Sequence, residues 1–198
     1  MTGFVNVEAM AEVVLYHHVQ GLTDGVRAFA HELREAGHTV HTPDMFGGRT
    51  FPTIDDGIAF AKEQGFGKLV DGGVAVADQL PSDVVYVGFS FGAMPAQQLA
   101  QTKPGARGAL LIYGVVPFTE FGDAWPEDVP VQIHAMENDA WFVEDLPSAQ
   151  ELADSTEAAE LFLYPGDKHL FADASTADYD AEAAGLLMER VRAFLAGV

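Results

Sequence analysis

The stretch Val84-Val85-Tyr86-Val87-Gly88-Phe89-Ser90-Phe91-Gly92-Ala93-Met94 decides how the rest of the chain is read. Its first residues are apolar and β-branched, as in a buried strand, and the residues from Met94 to Thr102 have the spacing of a helix. Between them stands Gly-x-Ser-x-Gly. A serine between two glycines at a strand-to-helix junction reads as a nucleophile elbow, a strained turn where a side chain at either glycine would collide with neighbouring backbone. Ser90 would then project its Oγ above the sheet, near the free N–H groups of the helix that follows.

Outward from this segment, apolar runs alternate with helix-period runs in both directions, which predicts an α/β protein with a mostly parallel sheet and helices on both faces. Strands are expected at Val13–His18, His38–His41, Asp83–Phe89, Gly108–Tyr113, Val131–Met136 and Leu161–Tyr164. Helices are expected from Thr23-Asp24-Gly25 to near Gly37, at Ile58–Lys62, Leu69–Gln79, Met94–Thr102 and Leu146–Leu152, and at Ala181–Phe194 with Leu186, Leu187, Met188, Val191 and Phe194 on one buried face. With 198 residues and 48% apolar composition, residues 1–198 are expected to form one domain.

Ten basic against thirty acidic residues give a formal charge of −20, which opposes nucleic acid and anionic lipid as partners. The segment Met1-Thr2-Gly3-Phe4-Val5-Asn6-Val7-Glu8 has no basic cluster and no secretory apolar core, and no apolar run is long enough for a bilayer. A cytoplasmic location is therefore expected, as a monomer or small homo-oligomer. The absence of cysteine excludes disulfides, thiolate catalysis and cysteine-bound zinc. Histidines and acids are present, but no His-x-x-x-His or similar spacing places two ligands on one face, so neither metal nor cofactor is expected.

Serine is a poor nucleophile unless a base stands beside it and an acid orients that base. On an elbow of this kind the expected chain order is serine, acid, histidine. Val131-Gln132-Ile133-His134-Ala135-Met136 runs into Glu137-Asn138-Asp139-Ala140-Trp141, placing Asp139 just past a strand end, with Glu137 as the competing acid. Leu161-Phe162-Leu163-Tyr164 runs into Pro165-Gly166-Asp167-Lys168-His169, which offers His169 as the base. The aromatic segment Tyr113 to Trp125, with Phe118 between them, together with Trp141 and Phe142, would wall an apolar pocket or complete the core.

From about Val13 to Phe194 the chain resembles the dienelactone hydrolase family of α/β-hydrolases. The resemblance rests on Tyr16-His17-His18-Val19-Gln20-Gly21-Leu22, Thr42-Pro43-Asp44-Met45, Gly88-Phe89-Ser90-Phe91-Gly92, Asn138-Asp139, and Tyr164-Pro165-Gly166 before His169-Leu170-Phe171. It implies an α/β-hydrolase fold without a large cap domain, a Ser90–His169–Asp139 triad, and an oxyanion hole from the N–H groups of Phe91 and Val19. Three departures stand beside it. Serine replaces the family's cysteine nucleophile, His18 stands where a glutamate follows strand one, and Asp173 stands where an arginine grips the substrate carboxylate. Asp173 is thus expected to repel anionic substrates, and His18 either to contact substrate or sit near Ser90, or to be a packed, hydrogen-bonded neighbour. The reaction these features imply is cleavage of a small neutral or apolar ester, lactone or thioester through an acyl-enzyme. Acyl transfer by the same residues and a non-catalytic ligand-binding relative are the alternatives.

Overall fold

In the computed structural model, which describes residues 10–198, six strands run parallel in one sheet. They are β1 (Glu12–Tyr16), β2 (Thr39–His41), β3 (Val84–Phe89), β4 (Gly108–Ile112), β5 (Val131–Met136) and β6 (Ala159–Tyr164), in the order β2-β1-β3-β4-β5-β6. The segment Met1–Glu8, read above for a leader, lies outside the described residues. No helix of the described residues is long and apolar enough to cross a membrane.

Nearly every residue of the inner strands is buried, so successive side chains feed two separate cores. Val13, Leu15, Val85, Val87 and Phe89 pack towards α1 (Asp24–Glu35) and α6 (Ala181–Gly197). Their neighbours Val14, Tyr16, Val84 and Tyr86 pack towards α4 (Ala93–Thr102) and α5 (Leu146–Ser155). Each such aliphatic side chain, once buried, contributes about 1.5–3 kcal/mol, and a charge on any of these strands would break one of the two layers. Helix α1 starts where the Thr23 hydroxyl accepts the Val26 N–H, and α6 starts where the Asp180 carboxylate accepts from Glu182 and Ala183. One expectation for α6 fails: Leu186 is exposed. Three consecutive residues cannot share one helical face, and the buried stripe is Ala183, Leu187, Met188, Val191, Phe194 and Leu195.

Strand β1 also ends earlier than expected, at Tyr16, because its partner Gly88 is followed within two residues by the elbow. His17 and His18 therefore belong to a loop. The chain leaves β1 towards β2 and returns to β3 on the opposite side of β1, so the loops after β1 and β3 diverge and leave a crevice at the carboxyl edge. The connection between β2 and β3 holds α2 (Ile54–Gln64) and α3 (Phe66–Val76), and the last turn expected for α3 tightens into a 3₁₀ turn at Ala77–Gln79. Their Ile58, Phe60, Phe66 and Val70 join Val19, Phe46, Phe51 and Phe91 in a third apolar cluster beside the crevice. Helix α2 lies directly on the loop after β1, since a Cβ at Gly57 would stand 2.0 Å from the Val19 carbonyl oxygen. Among the described residues no separate cap domain covers the sheet edge.

Candidate active site

The elbow expected from the sequence is present. Ser90 has φ 50°, a left-handed conformation that costs a non-glycine residue about 1–3 kcal/mol. Packing enforces it. A Cβ at Gly88 would fall 2.3 Å from the Gly92 carbonyl oxygen, and one at Gly92 would fall 2.4 Å from that of Tyr16, so both flanks exclude any larger residue. Residues Ser90–Gly92 form a 3₁₀ turn that leads directly into α4.

Three sequence-predicted residues meet at this turn. Ser90 Oγ lies 2.8 Å from His169 Nε2, and His169 Nδ1 lies 2.7 Å from Asp139 Oδ2. A carboxylate only accepts, so Nδ1 carries the proton and donates to Asp139, leaving the Nε2 lone pair for the serine hydroxyl. The other Asp139 oxygen accepts the Trp141 N–H at 2.9 Å. Asp139 and His169 are buried, whereas Glu137 is exposed, which leaves it outside this chain of hydrogen bonds. Leu170 and Phe171, both buried in the α1/α6 core, anchor the loop behind the histidine. Tyr113, at φ 67°, accepts the Ala172 N–H on its hydroxyl and sets its ring 5.7 Å from that of His169. Burial pushes the Tyr113 phenol well above its ordinary pKa, so it stays neutral.

A second histidine–carboxylate pair lies behind the loop after β1. His18 is completely buried: its Nε2–H donates to Asp173 Oδ2 at 2.7 Å, and its Nδ1 accepts the Gln20 N–H at 3.2 Å. Asp173 also accepts from Thr23 Oγ1 at 2.5 Å and from Ser175 N and Oγ at 2.8 and 2.6 Å. Burial alone would raise the Asp173 carboxyl, but the hydrogen bonds from His18, Ser175 and Thr23 outweigh it and hold the pKa near 2. Two expectations are corrected here. His18 does not line the cavity at Ser90, and Asp173 faces inward to His18 instead of towards a substrate. Nothing local to either residue pointed to the pairing, because its members lie 155 residues apart. His17 is buried too, donating from Nδ1 to the His18 carbonyl and accepting the Met45 N–H on Nε2. Burial lowers its pKa to about 4, so it is a neutral tie between two loops.

The cavity that opens on Ser90 and His169 measures about 280 Å³. Val19 and Phe91, the expected oxyanion donors, line it together with Tyr113 and Trp141. Phe118 and Trp125 do not. They border a different depression, where the buried Trp125 donates its indole N–H to the Val129 carbonyl. Phe142 is spent in the α4/α5 core. Gly114–Val116, the start of the segment expected to wall a pocket, lines it as well, and the remaining walls come from residues not expected there: Ile54 and Ile58 of α2, Phe66 of α3, Met94 of α4, and Asp145. Among the described residues no group of three or more His, Asp or Glu gathers as metal ligands would.

A six-stranded parallel sheet flanked by helices, with a serine elbow at the carboxyl edge, defines an α/β-hydrolase. The chain belongs to the dienelactone hydrolase family, whose model matches residues 5–198. No curated protein sequence matches the chain. Among solved structures it is similar to a putative dienelactone hydrolase from Klebsiella pneumoniae subsp. pneumoniae, at 18% identity and TM-score 0.70, covering 97% of this chain and 89% of that one. A dienelactone hydrolase-like promiscuous phosphotriesterase from metagenomic libraries matches at 15% identity and TM-score 0.69, covering 96% and 87%. An esterase from Pyrobaculum calidifontis matches at 16% identity and TM-score 0.61, covering 96% and 77%. At these identities the likenesses establish the shared fold.

Proposed function

We propose that this protein is a serine hydrolase that cleaves a small ester, lactone or thioester through an acyl-enzyme on Ser90. The observation that carries the reading is the continuous line Ser90–His169–Asp139, with the tautomer it requires, at the floor of a cavity. His169 takes the Ser90 proton as Oγ attacks the carbonyl carbon, and Asp139 stabilises the imidazolium that forms. The N–H groups of Phe91 and Val19 receive the developing oxyanion, and one such donor is worth about 10²–10³ in kcat. Collapse of the tetrahedral intermediate expels the alcohol or thiol, which receives the proton from His169. Water then attacks the acyl-enzyme by the same steps and regenerates the serine. A serine paired directly with a histidine needs no further acid, consistent with His18 standing apart from it.

Ser90→Ala is the test. It should abolish hydrolysis of p-nitrophenyl acetate while leaving the urea unfolding midpoint close to that of the wild type. Turnover that survives the substitution would overturn the proposal. Stoichiometric labelling by a fluorophosphonate, lost in His169→Ala, separates an enzyme from a binding relative.

A further inference from the structure

Asp145 stands where an aspartate ordinarily caps a helix, directly before α5, yet its side chain makes no capping hydrogen bond. Pro147, two residues on, removes one of the N–H groups a cap would accept. The carboxylate instead turns to the cavity wall and accepts the Val115 N–H on Oδ2 at 3.2 Å. Its second oxygen has no hydrogen-bond partner among the described residues. No Lys or Arg lines the cavity, and with Ser90 and His169 committed to each other the remaining walls are largely apolar or aromatic. Burial pushes the Asp145 carboxyl above its ordinary pKa, a tendency opposed by the Val115 N–H and by His169. A negative charge held in such surroundings is costly unless something positive answers it.

We infer that Asp145 sets the specificity of this site, selecting esters that carry a positively charged group and rejecting those that carry a carboxylate. The inference rests on the hydrolase reading above. Trp141 and Phe66 line the same cavity, and aromatic rings attract a cation held over them. The free carboxylate oxygen supplies the charge, and the Val115 N–H fixes its direction. A merely structural role, holding Val115 in place, would give no preference for charge.

The two roles separate in Asp145→Asn, which keeps an acceptor for the Val115 N–H but removes the charge. The substrates are acetylthiocholine, the neutral thioester with tert-butyl in place of trimethylammonium, and the thioacetate of a mercapto-carboxylic acid, all followed by thiol release. An acyl-side pair, a p-nitrophenyl ester ending in trimethylammonium and its tert-butyl isostere, covers the other half of the ester. In at least one pair, wild-type kcat/KM should favour the cation by about tenfold or more, with the carboxylate poorest. In Asp145→Asn that ratio should fall to near one, whatever the variant's absolute rate on the neutral member. A wild-type ratio of one or less in both pairs, an unchanged ratio in the variant, or equal loss on neutral and cationic members would each overturn the inference and leave the hydrolase reading standing. If the wild type cleaves no member and Ser90 resists the fluorophosphonate, both fall.

Discussion

Asp173→Asn should destabilise this protein far more than its isosteric shape suggests. The native carboxylate accepts four hydrogen bonds, from His18 and Thr23 on one oxygen and from the Ser175 amide and hydroxyl on the other. Asparagine offers one oxygen and sets an NH₂ group against donors. If its oxygen keeps the Ser175 pair, His18 meets the NH₂ and must move its proton to Nδ1, where it confronts the Gln20 N–H. Either arrangement sets a donor against a donor, the buried His18–Gln20 pair in one and the part-buried Ser175 N–H in the other, and with the lost charge-assisted bond the cost is about 2–4 kcal/mol. The assay is urea unfolding near neutral pH, read as a lower midpoint at unchanged slope. Acid provides an internal check. The Asp173 carboxyl sits near 2 in the folded protein against an ordinary 3.8, worth about 2 kcal/mol. A lowered carboxylate pKa stabilises above the unfolded value, and that stability is lost as pH falls through 3.8 towards 2. The gap between wild type and variant should therefore narrow by about 1 kcal/mol between roughly pH 5 and pH 3. A gap below about 1 kcal/mol near neutrality, or one that fails to narrow in acid, would refute the reasoning.

Two further outcomes follow from the site and the core. Asp139→Asn should lower kcat on p-nitrophenyl acetate by about 10³–10⁴ with the fold retained, whereas Glu137→Gln, at an exposed position, should stay within about twofold; equal losses would return Glu137 to candidacy. His17 and His134 are buried bases whose pKa values burial lowers to about 4 and about 3. The unfolded chain binds protons at both from about pH 6.5 downward, so stability should fall with pH at a slope of roughly two protons near pH 5. In His134→Gln that slope should drop by about one proton, as measured by urea midpoints across the range.

What the sequence disclosed and what it hid divide along a physical line. Ser90, Asp139 and His169 were legible because each lies on a loop just past a strand end, and strand ends can be read from apolar runs and turn residues. The glycines at 88 and 92 were legible because contact with backbone, which is independent of distant side chains, forbids anything larger. The cavity walls were not. Ile54, Ile58 and Phe66 read as the apolar faces of two short helices, and only the close approach of α2 to Val19 turns them towards Ser90. Phe118 and Trp125 misled for the converse reason, since aromatic content in a loop does not specify which cavity it borders. Asp145 carried a faint signal, a capping residue followed two positions later by a proline, but nothing local told where the uncommitted carboxylate would turn.

The segment from Pro165 to Ser175 links these observations. It presents His169 to Ser90 and, one helical turn later in sequence, Asp173 to His18, so a single loop holds both histidine–carboxylate pairs. His18 immediately precedes Val19, which lines the cavity with Phe91 and whose N–H has no acceptor among the described residues. The base and one proposed oxyanion donor are thus referenced to the same piece of chain, and a shift of that loop displaces both together. The family resemblance places a glutamate at the His18 position and an arginine at the Asp173 position. Here His18 and Asp173 instead form a buried hydrogen-bonded pair that ties the two loops together. No arginine or lysine lines the cavity, so the carboxylate of Asp145 in its wall is the charge that an anionic ester would meet there.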